Sequence, residues 1–236
     1  MKIALCIVAA GRGVRLGDEW QGTPKALVPL LGRAMLFYSM NALDTVSSGT
    51  QFVVAVPRDS ENKFRKLIGD WGFSHKVRLV HGGETRAGSV RNILSVLKID
   101  PPDMILIHDA ARVCLTNEMV EQLLAASNDS SAATLAHAAT DTLREITSGF
   151  ISGEISRENI ACIETPQIFP FRRLVELYDK ANENPTDETT LFTRAGEKVR
   201  IVFHDDGNMK ITYAEDIAAA EGILFTRGWI DGSDEE

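Results

Sequence analysis

The chemistry of this chain starts in one glycine-rich, basic stretch: Ala9-Ala10-Gly11-Arg12-Gly13-Val14-Arg15-Leu16-Gly17, with Pro24-Lys25 close behind. Glycines that follow directly on an apolar strand leave backbone N–H groups open to an anion. The spacing matches neither familiar cradle. A dinucleotide fingerprint needs Gly-x-Gly-x-x-Gly, but Leu16 holds the third place and Gly17 comes one residue late; a Walker A loop needs Gly-Lys-Ser/Thr, which is absent. What the stretch adds is fixed positive charge from Arg12, Arg15 and Lys25, which suits a polyphosphate. A plain glycine turn with solvated basic residues is the alternative.

Three further stretches bear on the same chemistry. His81-Gly82-Gly83-Glu84-Thr85-Arg86-Ala87-Gly88-Ser89 is a second glycine turn between a strand and a helix, where Gly82 and Gly83 would let backbone approach a base and Ser89 could hydrogen-bond it. It also reads as an ordinary helix entry capped by Thr85. Asp109 ends the apolar run from Met104, so it is a candidate Mg²⁺ ligand beside substrate phosphates, with Arg112 as an anion contact. An Asp at a strand end is equally a turn residue. Lys210, just ahead of a helical stretch, can reach the same place, although an isolated lysine is more often solvated. His108 is given no role.

These residues need a scaffold that brings them together. Apolar bursts of strand length alternate with stretches of helical period, which predicts a mostly parallel sheet covered on both faces. Strands are expected near Ile3–Ala10, Gln51–Pro57, Val77–Val80, Met104–Asp109, Ala132–His137 and Val199–Phe203. Helices are expected over Ala34–Val46, Glu61–Gly69, Arg86–Leu97, Asn117–Ser127, Phe171–Ala181 and Thr212–Leu224, the last opened by a Thr212/Glu215 capping box. In such a sheet, ligands sit at the carboxyl ends of the strands, where both glycine loops, Asp109 and the separated cations would fall.

One region breaks the alternation. From about 138 to 164 the chain is polar and glycine-punctuated, with a turn at Thr147-Ser148-Gly149, and reads as a projecting β-hairpin arm. Leu143, Ile146, Phe150, Ile151 and Ile155 are too many apolar residues for a solvated arm, so a second copy is expected to cover them. The expected division is one domain over 1–230 with an acidic tail at 231–236, and there is no internal repeat.

Composition narrows the class. Hydrophobic residues make up 44% and charged residues 25% of the 236, ordinary globular usage that excludes fibrous and disordered chains. A net charge of -8 would repel a nucleic-acid polymer. Cys6, Cys114 and Cys162 are too scattered for a disulfide framework or a metal knot, which fits reduced thiols and a cytoplasmic protein. The apolar start runs straight into Gly11-Arg12-Gly13, a buried first strand rather than a signal peptide, and no run reaches the roughly eighteen residues of a membrane helix.

Taken in order, the motifs resemble the 2-C-methyl-D-erythritol 4-phosphate cytidylyltransferase family of the non-mevalonate isoprenoid pathway, nucleotidyltransferases of GT-A-like fold. The anchors are Ala9-Ala-Gly-x-Gly-x-Arg15, Pro24-Lys25, Gly82-Gly-x-x-Arg86-x-x-Ser89, His108-Asp-Ala-Ala-Arg112, Asp141-Thr142, Thr165-Pro166-Gln167, Thr186-Asp187 and Asn208-x-Lys210-Ile211-Thr212. The resemblance implies a single three-layer α/β domain and transfer of CMP from CTP to the polyol phosphate. It implies that Arg15, Lys25 and Lys210 are catalytic and that Asp109 holds Mg²⁺. Ala9, Ala10, Gly11, Gly13, Gly82, Gly83 and Ser89 would bind the nucleotide. Arg112 and Thr186 would bind the acceptor, joined by Thr140 and Arg157 from a partner's arm in a homodimer. The chain departs from the family pattern at Val113, at His137-Ala138-Ala139, over Thr189–Arg194 and from His204 to Gly207, all nearer the acceptor than the nucleotide. Ribitol 5-phosphate is the competing acceptor.

Overall fold

The computed structural model describes residues 1–45, 51–73, 77–127, 131–205 and 207–230; Val46, Asp206 and the acidic tail lie outside the described residues. In chain order the elements are β1 (Ile3–Val8), β2 (Pro29–Leu30), β3 (Arg33–Ala34), α1 (Met35–Asp44), β4 (Gln51–Val56), α2 (Glu61–Asp70), β5 (Val77–His81), α3 (Arg86–Leu97), β6 (Met104–Asp109), α4 (Asn117–Ala126) and β7 (Ala133–Ala138). They continue with β8 (Leu143–Thr147), β9 (Phe150–Ile155), β10 (Ala161–Pro170), α5 (Phe171–Lys180), α6 (Glu188–Arg194), β11 (Arg200–Phe203) and α7 (Glu215–Thr226).

Seven strands form one sheet in the order β11-β7-β10-β6-β1-β4-β5. Every neighbouring pair is parallel except the two that β10 makes, with β6 and β7. Because side chains alternate along a strand, the unbroken apolar runs feed two cores. Leu5, Ile7, Phe52, Val54 and Leu106 pack with α1, α2 and α4 on one face; Ala4, Cys6, Val53, Ala55, Ile105 and Ile107 pack with α3, α5 and α6 on the other. A third cluster gathers Leu16, Val28, Tyr38, Val113, Ile211 and Leu224, and so fastens the glycine loop, the turn after β6 and the segment before α7 to one another.

Two expectations are corrected. The stretch from 161 to 164, assigned to the arm, belongs to β10, a ten-residue strand inside the main sheet. Thr165-Pro166 argues against a strand, since proline cannot donate to a ladder; here the ladder to β7 slips between Ile163 and Gln167, which accommodates it. The hairpin itself is β8 and β9, turned by Ser148 (φ 52) and Gly149 (φ 84), two left-handed residues in succession as a tight hairpin turn requires. The second correction concerns α7. It starts at Glu215, and Thr212 does not cap it; instead the Asp216 carboxylate accepts from the Thr212 and Tyr213 N–H groups at 2.6 and 2.8 Å. The short helix α6 falls in a segment for which no helix was expected. Among the described residues no helix is long and apolar enough to cross a membrane.

Candidate active site

The first glycine loop leaves β1 at Val8, and the Ala9 N–H bonds the Ala55 carbonyl. Gly13 is left-handed (φ 68), and a side chain there would come within 3.1 Å of Lys25 Cβ. Buried Leu16 pins the loop to the third cluster, and the Lys25 N–H closes it on the Gly11 carbonyl at 3.1 Å. The Lys25 ammonium donates to the Ile211 carbonyl, joining the loop to the segment that carries Lys210. Arg15 lies over the Tyr213 ring, 5.7 Å from its centroid. Arg12 makes an exposed 3.2 Å ion pair with Asp59, of little energetic weight.

The second loop touches the first. A Cβ on Gly82 would sit 2.1 Å from Ala10 Cβ, and one on Gly83 would sit 2.7 Å from the Gly88 backbone. Gly82 therefore serves the packing of one loop on the other, and Gly83 the close approach of its loop to the first turn of α3. Ser89 is buried; its Oγ accepts from the Gly83 N–H and donates to the Thr85 carbonyl, both at 3.1 Å. Thr85 does cap α3, accepting from the Gly88 N–H at 3.0 Å.

Asp109, at the carboxyl end of β6, is the electrostatic centre. Its Oδ1 accepts from Arg86 Nε at 2.8 Å and its Oδ2 from the Lys210 ammonium at 2.5 Å. Burial opposes its charge, but Arg86 and Lys210 outweigh burial and hold its pKa well below the usual carboxylate range. Arg86 in turn grips both oxygens of the fully buried Glu188 at 2.9 and 3.0 Å, and the Tyr178 hydroxyl donates to Glu188 at 2.7 Å. Lys25 behaves oppositely. Burial, then the charges of Lys210 and Arg15, push its pKa down to about 8. His108 is fully buried, which lowers its pKa to about 4 and leaves it neutral in the core.

One cavity of about 380 Å³ brings these groups together. Ala9, Ala10, Gly11, Arg12, Gly13, Arg15, Lys25, Gly83, Ser89, Asp109 and Lys210 all line it. Gly82 lies behind the wall against Ala10, and Arg112, Thr140, Arg157 and Thr186 are outside the lining. Arg112 donates to the Asn208 carbonyl at 2.6 Å. Arg157 bonds the Thr140 carbonyl at the root of the arm, and Thr186 Oγ1 lies 3.3 Å from Thr190 Oγ1.

Sequence reading missed Glu188, Tyr178 and Glu164 and gave Arg86 no role. Glu188 stands in the first turn of α6, which Asp187 caps through Thr190, a helix that was not expected, and nothing local marks it as a buried counter-ion.

No group of three metal-ligating side chains occurs among the described residues. Asp109, which lines the cavity together with Glu84, nevertheless fits the way Mg²⁺ is held beside nucleotides, by one or two carboxylates with phosphate oxygens supplying the rest.

A mostly parallel sheet with glycine loops, separated cations and the Asp109 carboxylate meeting at the ends of its strands defines the class: an α/β protein with a site for a phosphorylated ligand. The chain belongs to the 2-C-methyl-D-erythritol 4-phosphate cytidylyltransferase family, whose family model matches residues 3–226. It is 33% identical to the family member of Caldicellulosiruptor bescii, over 97% of this chain and the whole of that protein, and 31% identical to that of Acidobacterium capsulatum, over 96% and 99%. It is also 34% identical to a bifunctional IspD/IspF enzyme of Chelativorans, but spans only 55% of that protein's length, as it does about half of other fused relatives. Among solved structures, the 4-diphosphocytidyl-2C-methyl-D-erythritol synthase of Anaerococcus prevotii superposes with a TM-score of 0.80 at 26% identity, covering 94% of this chain and 98% of that one.

Proposed function

We propose that the chain transfers CMP from CTP to 2-C-methyl-D-erythritol 4-phosphate, giving 4-diphosphocytidyl-2-C-methyl-D-erythritol and pyrophosphate, a step of the non-mevalonate isoprenoid pathway. The observation that carries this reading is that Arg15, Lys25, Lys210 and Asp109 share one cavity. A phosphate monoester is already an anion near neutral pH, so the reaction needs little help from a base. The obstacle is bringing two anions together and stabilising the charge that builds on the α-phosphate.

Each of these demands has a residue to meet it. The backbone of the glycine loop and Arg15 bind the triphosphate. Lys25, braced by the Ile211 carbonyl, lies where charge builds on the α-phosphate. Lys210 neutralises the α-phosphate and orients the attacking phosphate, its ammonium released from Asp109 as the substrates enter. Asp109 would hold Mg²⁺, which when bound supplies further positive charge to the phosphate oxygens. Backbone at Ala10, Gly11 and Gly83 with Ser89 reads ribose and cytosine; Arg112, Thr186 and Lys210 hold the acceptor.

In this reading two copies exchange arms, and Thr140 and Arg157 reach the neighbour's acceptor site. Its support is the exposure of Ile146, Phe150 and Ile151 on the hairpin, each more than 70% exposed. The free cysteines, two of them buried, suit a reducing cytoplasm. The test is steady-state comparison of 2-C-methyl-D-erythritol 4-phosphate with ribitol 5-phosphate at fixed CTP. A higher kcat/KM for the former is expected; preference for the latter overturns the acceptor.

A further inference from the structure

Behind Arg112 lies a third buried carboxylate, after Asp109 and Glu188. Glu164 is 3% exposed, and four side chains converge on it. His137 Nδ1 is 2.7 Å and Arg112 Nη1 3.5 Å from Oε1; Asn208 Nδ2 is 2.7 Å and His204 Nε2 2.9 Å from Oε2. Burial raises the Glu164 pKa, but these donors outweigh it and keep the group ionised. The cluster joins the pieces that carry the acceptor-side cations. Arg112 follows Asp109 by three residues, and Asn208, which also takes the Arg112 hydrogen bond on its carbonyl, precedes Lys210 by two.

His137 differs from the other three partners in being half exposed, at 47% of its side chain. A carboxylate can only accept, so Nδ1 must be the donor, and Nε2 is the free nitrogen. Nε2 makes no hydrogen bond to any described residue. Its imidazole and the Arg112 guanidinium hang on the same oxygen, so both are held within one phosphate's reach of each other.

We propose that His137, oriented by Glu164, is a further contact to the phosphate of the acceptor, completing a seat that it shares with Arg112. The contact needs one proton. With Nδ1 donating to Glu164, Nε2 accepts from a phosphate monoanion, which brings the proton with it, or donates to the dianion as imidazolium, in which case the proton is taken up from solvent on binding. One hydrogen bond forms in both cases. Glu164 is the positioning residue, since it touches no substrate.

The inference rests on the cytidylyl-transfer reading, and the experiment separates the two. Initial rates are measured for the full chain with CTP, Mg²⁺ and 2-C-methyl-D-erythritol 4-phosphate, each substrate varied in turn. For His137→Ala the acceptor KM is expected to rise about tenfold or more, the worth of one charge-assisted hydrogen bond, while the KM for CTP stays within about twofold. Glu164→Gln, which keeps shape and loses charge, should move the same constant in the same direction, and the double variant should be no worse than the worse single one, because both act through one contact. If Glu164→Gln does not fold, His137→Ala, at a half-exposed site, still decides. An acceptor KM within about twofold of wild type, or acceptor and CTP constants that rise together, overturns the inference alone. A wild-type chain that makes no CDP-linked product overturns the functional reading and this inference with it.

Discussion

Lys25 and Lys210 are both cationic and near each other, but they are compensated differently. The Lys210 ammonium bonds the Asp109 carboxylate, whereas Lys25 bonds a backbone carbonyl, and the Lys25 pKa falls because the group is buried and faces the charges of Lys210 and Arg15. That imbalance prepares the site for a polyanion: the arriving phosphates supply the charge that Lys25 lacks. Replacing either lysine by alanine should lower turnover about a hundredfold or more, on the order of 3 kcal/mol of transition-state stabilisation, with the thermal midpoint little changed. Near-wild-type turnover would remove that residue from the mechanism. The sign of the pH effect follows from the direction of the shift. Lys25 is charged below about pH 8 and loses its proton above it, so kcat/KM for CTP, which reports the free enzyme, should fall as pH rises through 8. Lys25→Arg should move that limb to higher pH, because a guanidinium stays protonated. A flat profile to pH 9.5 or so contradicts this assignment. Cations at strand ends were legible in the sequence because charge and position suffice to mark them. The buried acids Glu188 and Glu164 were not, since only the fold reveals which cation each one meets.

Among the elements, β6, α3 and α6 are joined by one strut: Asp109 on β6, Arg86 at the start of α3 and Glu188 at the start of α6. The strut fixes the carboxylate that Lys210 and a metal would share, so part of the site's precision comes from a residue outside the cavity. Removing Glu188 leaves the Arg86 guanidinium buried beside Asp109 alone. Glu188→Ala should destabilise the fold by about 3–5 kcal/mol in denaturant unfolding, the usual cost of breaking a buried ion pair. A loss below about 1 kcal/mol, the range of exposed pairs, would contradict the strut. The parallel strands β1, β4 and β6 were readable as unbroken apolar runs bounded by turn residues. β10 was not, because Pro166 lies within it and because an antiparallel strand inserted between β6 and β7 follows from tertiary pairing, not from any local period. The start of α7 was misplaced for a related reason: Thr212 and Glu215 have capping-box spacing, but Asp216 takes the N–H groups first.

For the whole molecule, the arm is the feature on which the proposed pairing of two copies rests. Ile146, Phe150 and Ile151 expose their side chains on a two-stranded hairpin with no sheet behind it, and an isolated hairpin of that kind is marginally stable in water. On the proposed exchange of arms, replacing all three by serine should convert a dimer to a monomer in light scattering and raise the acceptor KM, since Thr140 and Arg157 would no longer reach a neighbour. A monomeric wild-type chain with full activity would contradict exchange of arms. The proposed function turns on fixed cations at one mouth of the sheet that make two phosphorylated molecules react. Incubation with CTP, Mg²⁺ and 2-C-methyl-D-erythritol 4-phosphate, with pyrophosphate and the CDP-linked product both followed, tests it most directly. The two products should appear together in equal amounts and only when all substrates are present; CTP bound without release of pyrophosphate would contradict it.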